Sequence, residues 1–149
     1  MAITAYSTDD DLLTIRPNIL DFGVRDWEEK HVKAFNTINR VLIARWYKEV
    51  ADEHGIDNWR ETPFDPEKVD ADQIKELSCY KTLELIYMHL MKDSPQADGF
   101  ERQRGVYRDL YNEELRTLLA TGLNYDWDDD DVIGDTEKYI VRQRRLVRV

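Results

Sequence analysis

The sequence predicts a mainly α fold: a small helical bundle of three long helices and a short N-terminal helix, followed by an extended, strand-like C-terminal tail. Three observations carry that reading. Apolar residues recur at helical spacing over three long stretches, capping residues or glycines bound those stretches, and the last dozen residues mix β-branched side chains with arginines. A chain of 149 residues is most simply one domain with a core of its own. We divide it into a helical body, 1–137, that ends in an acidic loop over 124–137, and a basic docking tail, 138–149.

Ser7 or Thr8 can cap a short helix whose first turn is Asp9-Asp10-Asp11, and which must stop before Pro17. Asn18 to Phe22 adds a further turn before Gly23. From Asp26 to about His54, Trp27, Phe35, Ile38, Leu42, Trp46 and Val50 form one stripe, and Gly55 supplies the stop. Val41-Leu42-Ile43 cannot all face one way, so two sides of this helix should meet neighbours. Ile56 to Val69 reads as an ordered loop pinned by Trp59 and Phe64.

Asp70 or Asp72 should cap a second long helix to about Lys92, with Ile74, Leu77, Tyr80, Leu83, Tyr87 and Leu90 as its stripe. Leu85, Ile86, Met88 and Met91 add apolar surface beyond one stripe, which fits a helix buried on several sides by its own fold or by another subunit. Ser94-Pro95 opens a third helix that should run to Thr121 and end at Gly122, burying Phe100, Tyr107, Leu110, Tyr111, Leu115 and Leu118. Gly105 weakens its middle by about 1 kcal/mol unless close packing requires it.

Composition limits function. A net charge of −10 disfavours broad contact with nucleic acid phosphates. The single cysteine, Cys79, excludes an internal disulfide and a multi-cysteine zinc site. Neither a secretory leader nor a membrane span is expected, and synthesis in the cytoplasm follows. His31, His54 and His89 share no metal spacing, no glycine-rich phosphate loop or nucleophile elbow occurs, and Trp46, Tyr47 and Trp59 fit a core; the chain reads as a non-enzyme.

The acidic loop carries seven carboxylates and no cation. From Asp126 it matches a twelve-residue calcium loop in register: Asp126, Asp128 and Asp130 at positions 1, 3 and 5, the Val132 carbonyl at 7, and Glu137 at 12. Calcium is the cofactor such a set would take. The departure is Asp131, where the sharp turn at position 6 wants glycine. The other reading is a solvated acidic loop that neutralises a basic partner.

The tail holds five cations, Lys138, Arg142, Arg144, Arg145 and Arg148, among Tyr139, Ile140, Val141, Leu146, Val147 and Val149. Its alternation suits a strand, and a lone strand needs a sheet edge to join. A frayed basic terminus and a small nucleic-acid footprint are the competing readings.

Leu77 to Leu90, Asp98-Gly-Phe-Glu-Arg-Gln103, Tyr107 to Leu115 and Gly122-Leu-Asn-Tyr-Asp-Trp-Asp128 together resemble the head-to-tail adaptor, or head completion, proteins of tailed bacteriophages and gene transfer agents. The likeness covers about residues 70 to 149, and more loosely the opening Tyr6 to Leu13. It implies a virion protein of the neck, a helical subunit assembled as a ring, usually of twelve copies. Such a ring lies between the portal protein and a stopper or tail terminator, and DNA passes through it without specific binding. It also implies that Lys138 to Val149 reaches the portal. The alternative from the residues alone is a calcium-responsive protein-binding module that uses the loop over 126–137.

Overall fold

The structure, a computed structural model, describes residues 3–92 and 97–134. Among these the chain is mainly helical, with one short N-terminal helix and three long ones packed together and no sheet. Among the described residues the one β feature is an isolated antiparallel bridge between Val69 and Tyr125.

Helix α1 spans Asp9–Ile15. The backbone N–H and the hydroxyl of Thr8 both donate to the Asp11 carboxylate, at 2.9 and 3.1 Å, which is the reciprocal half of a capping box. Only Leu12 of this helix is buried, a contribution of about 2 kcal/mol. The turn predicted after it is present: Ile19 N–H donates to Arg16 O at 3.1 Å and Asp21 N–H to Asn18 O at 3.0 Å.

Helix α2 begins at Glu28–Leu42 and continues without a break through a π turn, Ile43–Tyr47, one α turn, Lys48–Val50, and a 3-10 turn, Ala51–His54. It stops at Gly55, whose φ of +83° is the left-handed conformation that glycine adopts without a Cβ penalty. The π turn was not foreseen. It admits one extra residue in that turn, and Trp46 and Tyr47 within it are both buried. Val41 and Ile43 are half-buried on either side of Leu42, as two-sided packing requires.

Helix α3, Ala71–Met91, is capped by Asp70, whose carboxylate accepts from Asp72 N–H. Its buried residues include Leu77-Ser78-Cys79, Thr82-Leu83-Glu84 and Ile86-Tyr87, which together encircle the helix. Intramolecular packing absorbs part of the apolar surplus noted in the sequence: α2 covers one side and α4, Ala97–Thr121, another, so that Ile86 is buried and Leu85 and Met91 half-buried, while Met88 stays 39 % exposed. The buried Glu84 carboxylate is met by Lys81 Nζ at 2.9 Å, and the same ammonium lies 4.7 Å from the ring centre of Tyr111. The proposed cap Ser94-Pro95 lies outside the described residues.

In α4, Tyr107, Tyr111, Leu115 and Leu118 are buried and Phe100 is half-buried. Leu110 departs from the predicted stripe. It is 38 % exposed and shares an outer face with Val106, one turn before it and 50 % exposed. The added 100° from Tyr111 carries it off the core-facing arc. Nothing lies within 4 Å of a Cβ built on Gly105, so close packing does not account for that glycine.

The core has two parts. One gathers Phe35, Ile38, Leu42, Tyr47, Leu77 and Leu115 with the loop residues Phe64 and Tyr125. The other gathers Leu12, Ile19, Trp27, Leu83, Ile86 and Tyr107. Half-buried Tyr80 packs against both. Cys79 is a buried core residue, and burial is the main cause that pushes its thiol up to about 12.

Candidate functional site

The acidic loop is built on the end of α4. Gly122, at φ +89°, turns the chain out of the helix, and its N–H closes the last turn on Leu118 O at 2.8 Å. Gln73 of α3 then grips the turn from both sides: its amide nitrogen donates to Gly122 O at 3.0 Å and its oxygen accepts from Asn124 N–H at 2.6 Å. Next the chain pairs with the segment before α3. Asp70 N–H donates to Asn124 O at 3.1 Å, and Asp126 N–H donates to Lys68 O at 3.0 Å. Removing the Gln73 amide in Gln73→Ala leaves two backbone groups unmet and should cost about 1–3 kcal/mol. Urea denaturation, together with hydrogen exchange at Asn124, measures it.

An aromatic floor holds the loop in place. Trp127 stacks on His54 at 4.2 Å and, nearly parallel, on Tyr47 at 5.6 Å. Tyr125 stacks on Phe64 at 5.7 Å, and its hydroxyl accepts from Asp65 N–H at 3.0 Å. Burial is the main cause that raises the Tyr125 phenol above its ordinary value. Trp46 and Tyr47 thus belong to the core, and Trp59 is half-buried beneath the guanidinium of Arg60 at 4.9 Å.

On this floor the three carboxylates predicted at positions 1, 3 and 5 converge. Asp126, Asp128 and Asp130 each offer an oxygen within 4.8 Å of the others, and Asp126 is buried. Asp126 accepts from Asp131 N–H at 2.9 Å and from Asp130 N–H at 3.3 Å, while Asp130 accepts from Val132 N–H at 2.9 Å. Asp131 takes the left-handed conformation at φ +64°, the geometry for which position 6 normally carries glycine. Asp129 does likewise at +59°.

For the Asp126 carboxyl, burial works against ionisation. Hydrogen bonding with Asp128 and from the Asp131 and Asp130 N–H groups outweighs it, and the group is held below the usual carboxylate value of 3.8. Its contribution to stability is therefore present above 3.8 and is lost as pH falls through the lower folded-state value. Lys68 Nζ pairs with Asp129 at 3.4 Å. Beside the loop lies a cleft of about 610 Å³, lined by Asp65, Glu67, Asp70, Asp126, Asp129 and Asp131, with Lys68 at its edge.

Val132 is exposed at 63 %, and Glu137 lies outside the described residues. So does the whole predicted partner interface, Lys138 to Val149. Hard oxygens converging around one point suit a calcium ion, and the described residues supply three of the side-chain ligands such a loop uses.

Sequence reasoning missed a polar cluster around His31. Its partners, Ser7, Asp9, Ser78 and Thr82, lie 22 to 51 residues away, or are joined through Ser7 across 71, so no local spacing announces them.

Comparisons with protein-family models, curated proteins and solved structures found no match. Among the described residues no helix is long and apolar enough to cross a membrane.

Proposed function

We propose that the protein is a structural, non-enzymatic head-to-tail connector subunit of a tailed bacteriophage or related particle, forming a ring between the portal and a stopper or tail terminator. The observation that carries this reading is the outer face of α4, where Val106 and Leu110 stand exposed one turn apart although the same helix buries its other side. A ring subunit needs an apolar ridge of this kind for its neighbour. The helical body and the resemblance over residues 70 to 149 support the same function. An acidic surface suits a channel past which DNA slides.

In this reading Lys138 to Val149 docks on the portal. Deleting 138–149 should weaken portal binding by at least about tenfold and remove much of its salt dependence, while the circular dichroism of the helical body is kept. Electron microscopy of the wild type with its portal should show a stacked ring, and Val106→Asp with Leu110→Lys should abolish the ring. A tail deletion that still binds portal like the wild type sinks the docking role. A ridge variant that still forms rings removes α4 from the subunit contact.

One observation favours a second reading, a calcium-responsive binding module: the convergence of Asp126, Asp128 and Asp130 with Asp131 at positive φ. Calorimetry should then show heat with calcium and much less with magnesium, and none in Asp126→Ala. No heat at millimolar calcium removes this reading.

A further inference from the structure

The polar cluster around His31 has a definite proton order. Ser7 Oγ lies 2.8 Å from His31 Nδ1 and 2.7 Å from Ser78 Oγ, and His31 Nε2 lies 3.0 Å from Asp9 Oδ1. An ionised carboxylate only accepts, so Nε2 carries the ring proton. The neutral ring then accepts the Ser7 hydroxyl at Nδ1, and Ser7 in turn accepts the hydroxyl of Ser78. Thr82 donates to Ser78 O at 2.8 Å. Asp–His–Ser is the order of a nucleophilic triad, but Ser7 is 5 % exposed and its oxygen is closed to a substrate. The relay acts on the fold instead, tying the N-terminal segment to α2 and α3.

A second proton on the ring would turn Nδ1 into a donor facing a hydroxyl that now donates to it. Both serine hydroxyls would have to rotate, and Thr82 Oγ1 is 3.4 Å away. The charge would also be buried. Asp9 and Asp11 on α1 and Glu28 on α2 favour it, but burial outweighs them and lowers the imidazole below its ordinary 6.5. On α3, Lys75 pairs with Asp11 at 3.8 Å, and Cys79 is held as a neutral thiol. The closed form therefore rejects a proton that an opened form, with His31 in water, would take.

We propose that residues 6–15 form a clasp that neutral His31 holds shut and that opens when this ring takes up a proton. This segment is the one to yield. α1 has seven residues and buries only Leu12, and so short a helix is not stable once detached. Besides the relay, its polar ties are single contacts: Tyr6 to Asn39, Lys75 to Asp11 at 3.8 Å, the Trp27 N–H to Asp9 at 3.2 Å and, just past the segment, Arg16 to Tyr87 at 3.1 Å; the Tyr6 ring, 4.7 Å from Phe35, is its other apolar anchor. The sign follows from linkage. A histidine whose folded-state value is depressed favours the closed form fully above about 6.5. That advantage falls by up to about tenfold per pH unit below it, until the folded value is passed.

Cys79 is the internal reporter, since it is 2 % exposed and packs in the same part of the core as Leu12 of α1. The test compares the full chain at about pH 7.5 and about pH 5.5. Hydrogen exchange, corrected for its intrinsic pH dependence, reads the segment, and dithiodipyridine, whose disulfide stays open to attack by a thiol in acid, reads Cys79 when its rate is taken relative to a free thiol at the same pH. Protection over 6–15 should fall and Cys79 labelling, relative to a free thiol, should accelerate by up to about tenfold at the lower pH, with α3 and α4 still protected. His31→Gln should remove this acid response. Equal protection at both pH values, a loss shared by every helix, or an unchanged response in the variant overturns the proposal. So does a wild-type His31 imidazole that titrates by NMR at or above its ordinary value, a measurement that stands even if the variant fails to fold.

Discussion

Replacing Tyr47 with alanine is expected to destabilise the protein by about 3–5 kcal/mol, among the largest effects of any single change. Tyr47 is fully buried and touches Trp46, Phe64, Tyr125 and Trp127 through ring contacts of 5.6 to 6.3 Å. Its hydroxyl donates to Thr62 O, so the ring also pins the loop after α2. The cavity cannot be refilled by one neighbour, because those rings are themselves fixed by others. Urea denaturation followed by tryptophan emission is the measurement, and Trp46 and Trp127 report directly. Tyr47→Phe keeps the packing but leaves the Thr62 carbonyl unmet, and should cost only about 1 kcal/mol. A Tyr47→Ala variant within 1 kcal/mol of the wild type, on the order of ordinary surface changes, would show that the aromatic floor carries little of the fold's stability.

The second large effect is expected from Trp27→Ala, again about 3–5 kcal/mol, in the other part of the core. Trp27 is 3 % exposed, stands at the N-terminus of α2, and meets His89 edge-on at 6.1 Å. Its indole N–H donates to Ile19 O at 2.8 Å, holding the turn after α1 against the bundle. Trp27→Phe should retain more than half of the lost stability. The double variant with Tyr47→Ala tests how the two parts communicate. Half-buried Tyr80 packs against both parts, so a departure from additivity beyond about 0.5 kcal/mol measures coupling between them.

Where the sequence was legible, local chemistry wrote the answer. The Thr8 and Asp70 caps, the Gly55 and Gly122 stops and the stripes of α2 and α3 all follow from short-range rules. The convergence of Asp126, Asp128 and Asp130 was readable for the same reason, since ligand spacing is a local pattern and Asp131 occupies the left-handed position that its register demands. What failed was long-range. Ser7, His31 and Ser78 meet across 24 and 71 residues, and Gln73 grips a turn 49 residues away. Leu110 was misplaced because a stripe widened by one position looks the same whether the extra residue meets core or solvent.

The π turn in α2 gives that helix two phases on one backbone. Up to Leu42 the buried positions Ala34, Phe35, Ile38 and Leu42 keep an ordinary helical beat; after it, Trp46 and Tyr47 are buried within a wider turn. The helix thereby rotates its inward arc from a helical neighbour toward the aromatic loop without bending at a proline or glycine. An alanine scan along α2 should thus show sensitivity that keeps time through Leu42, skips a beat, and resumes displaced. Deleting a single residue between 43 and 45 should remove the extra residue that the π turn holds and restore the regular beat, with Tyr47 still against Trp127.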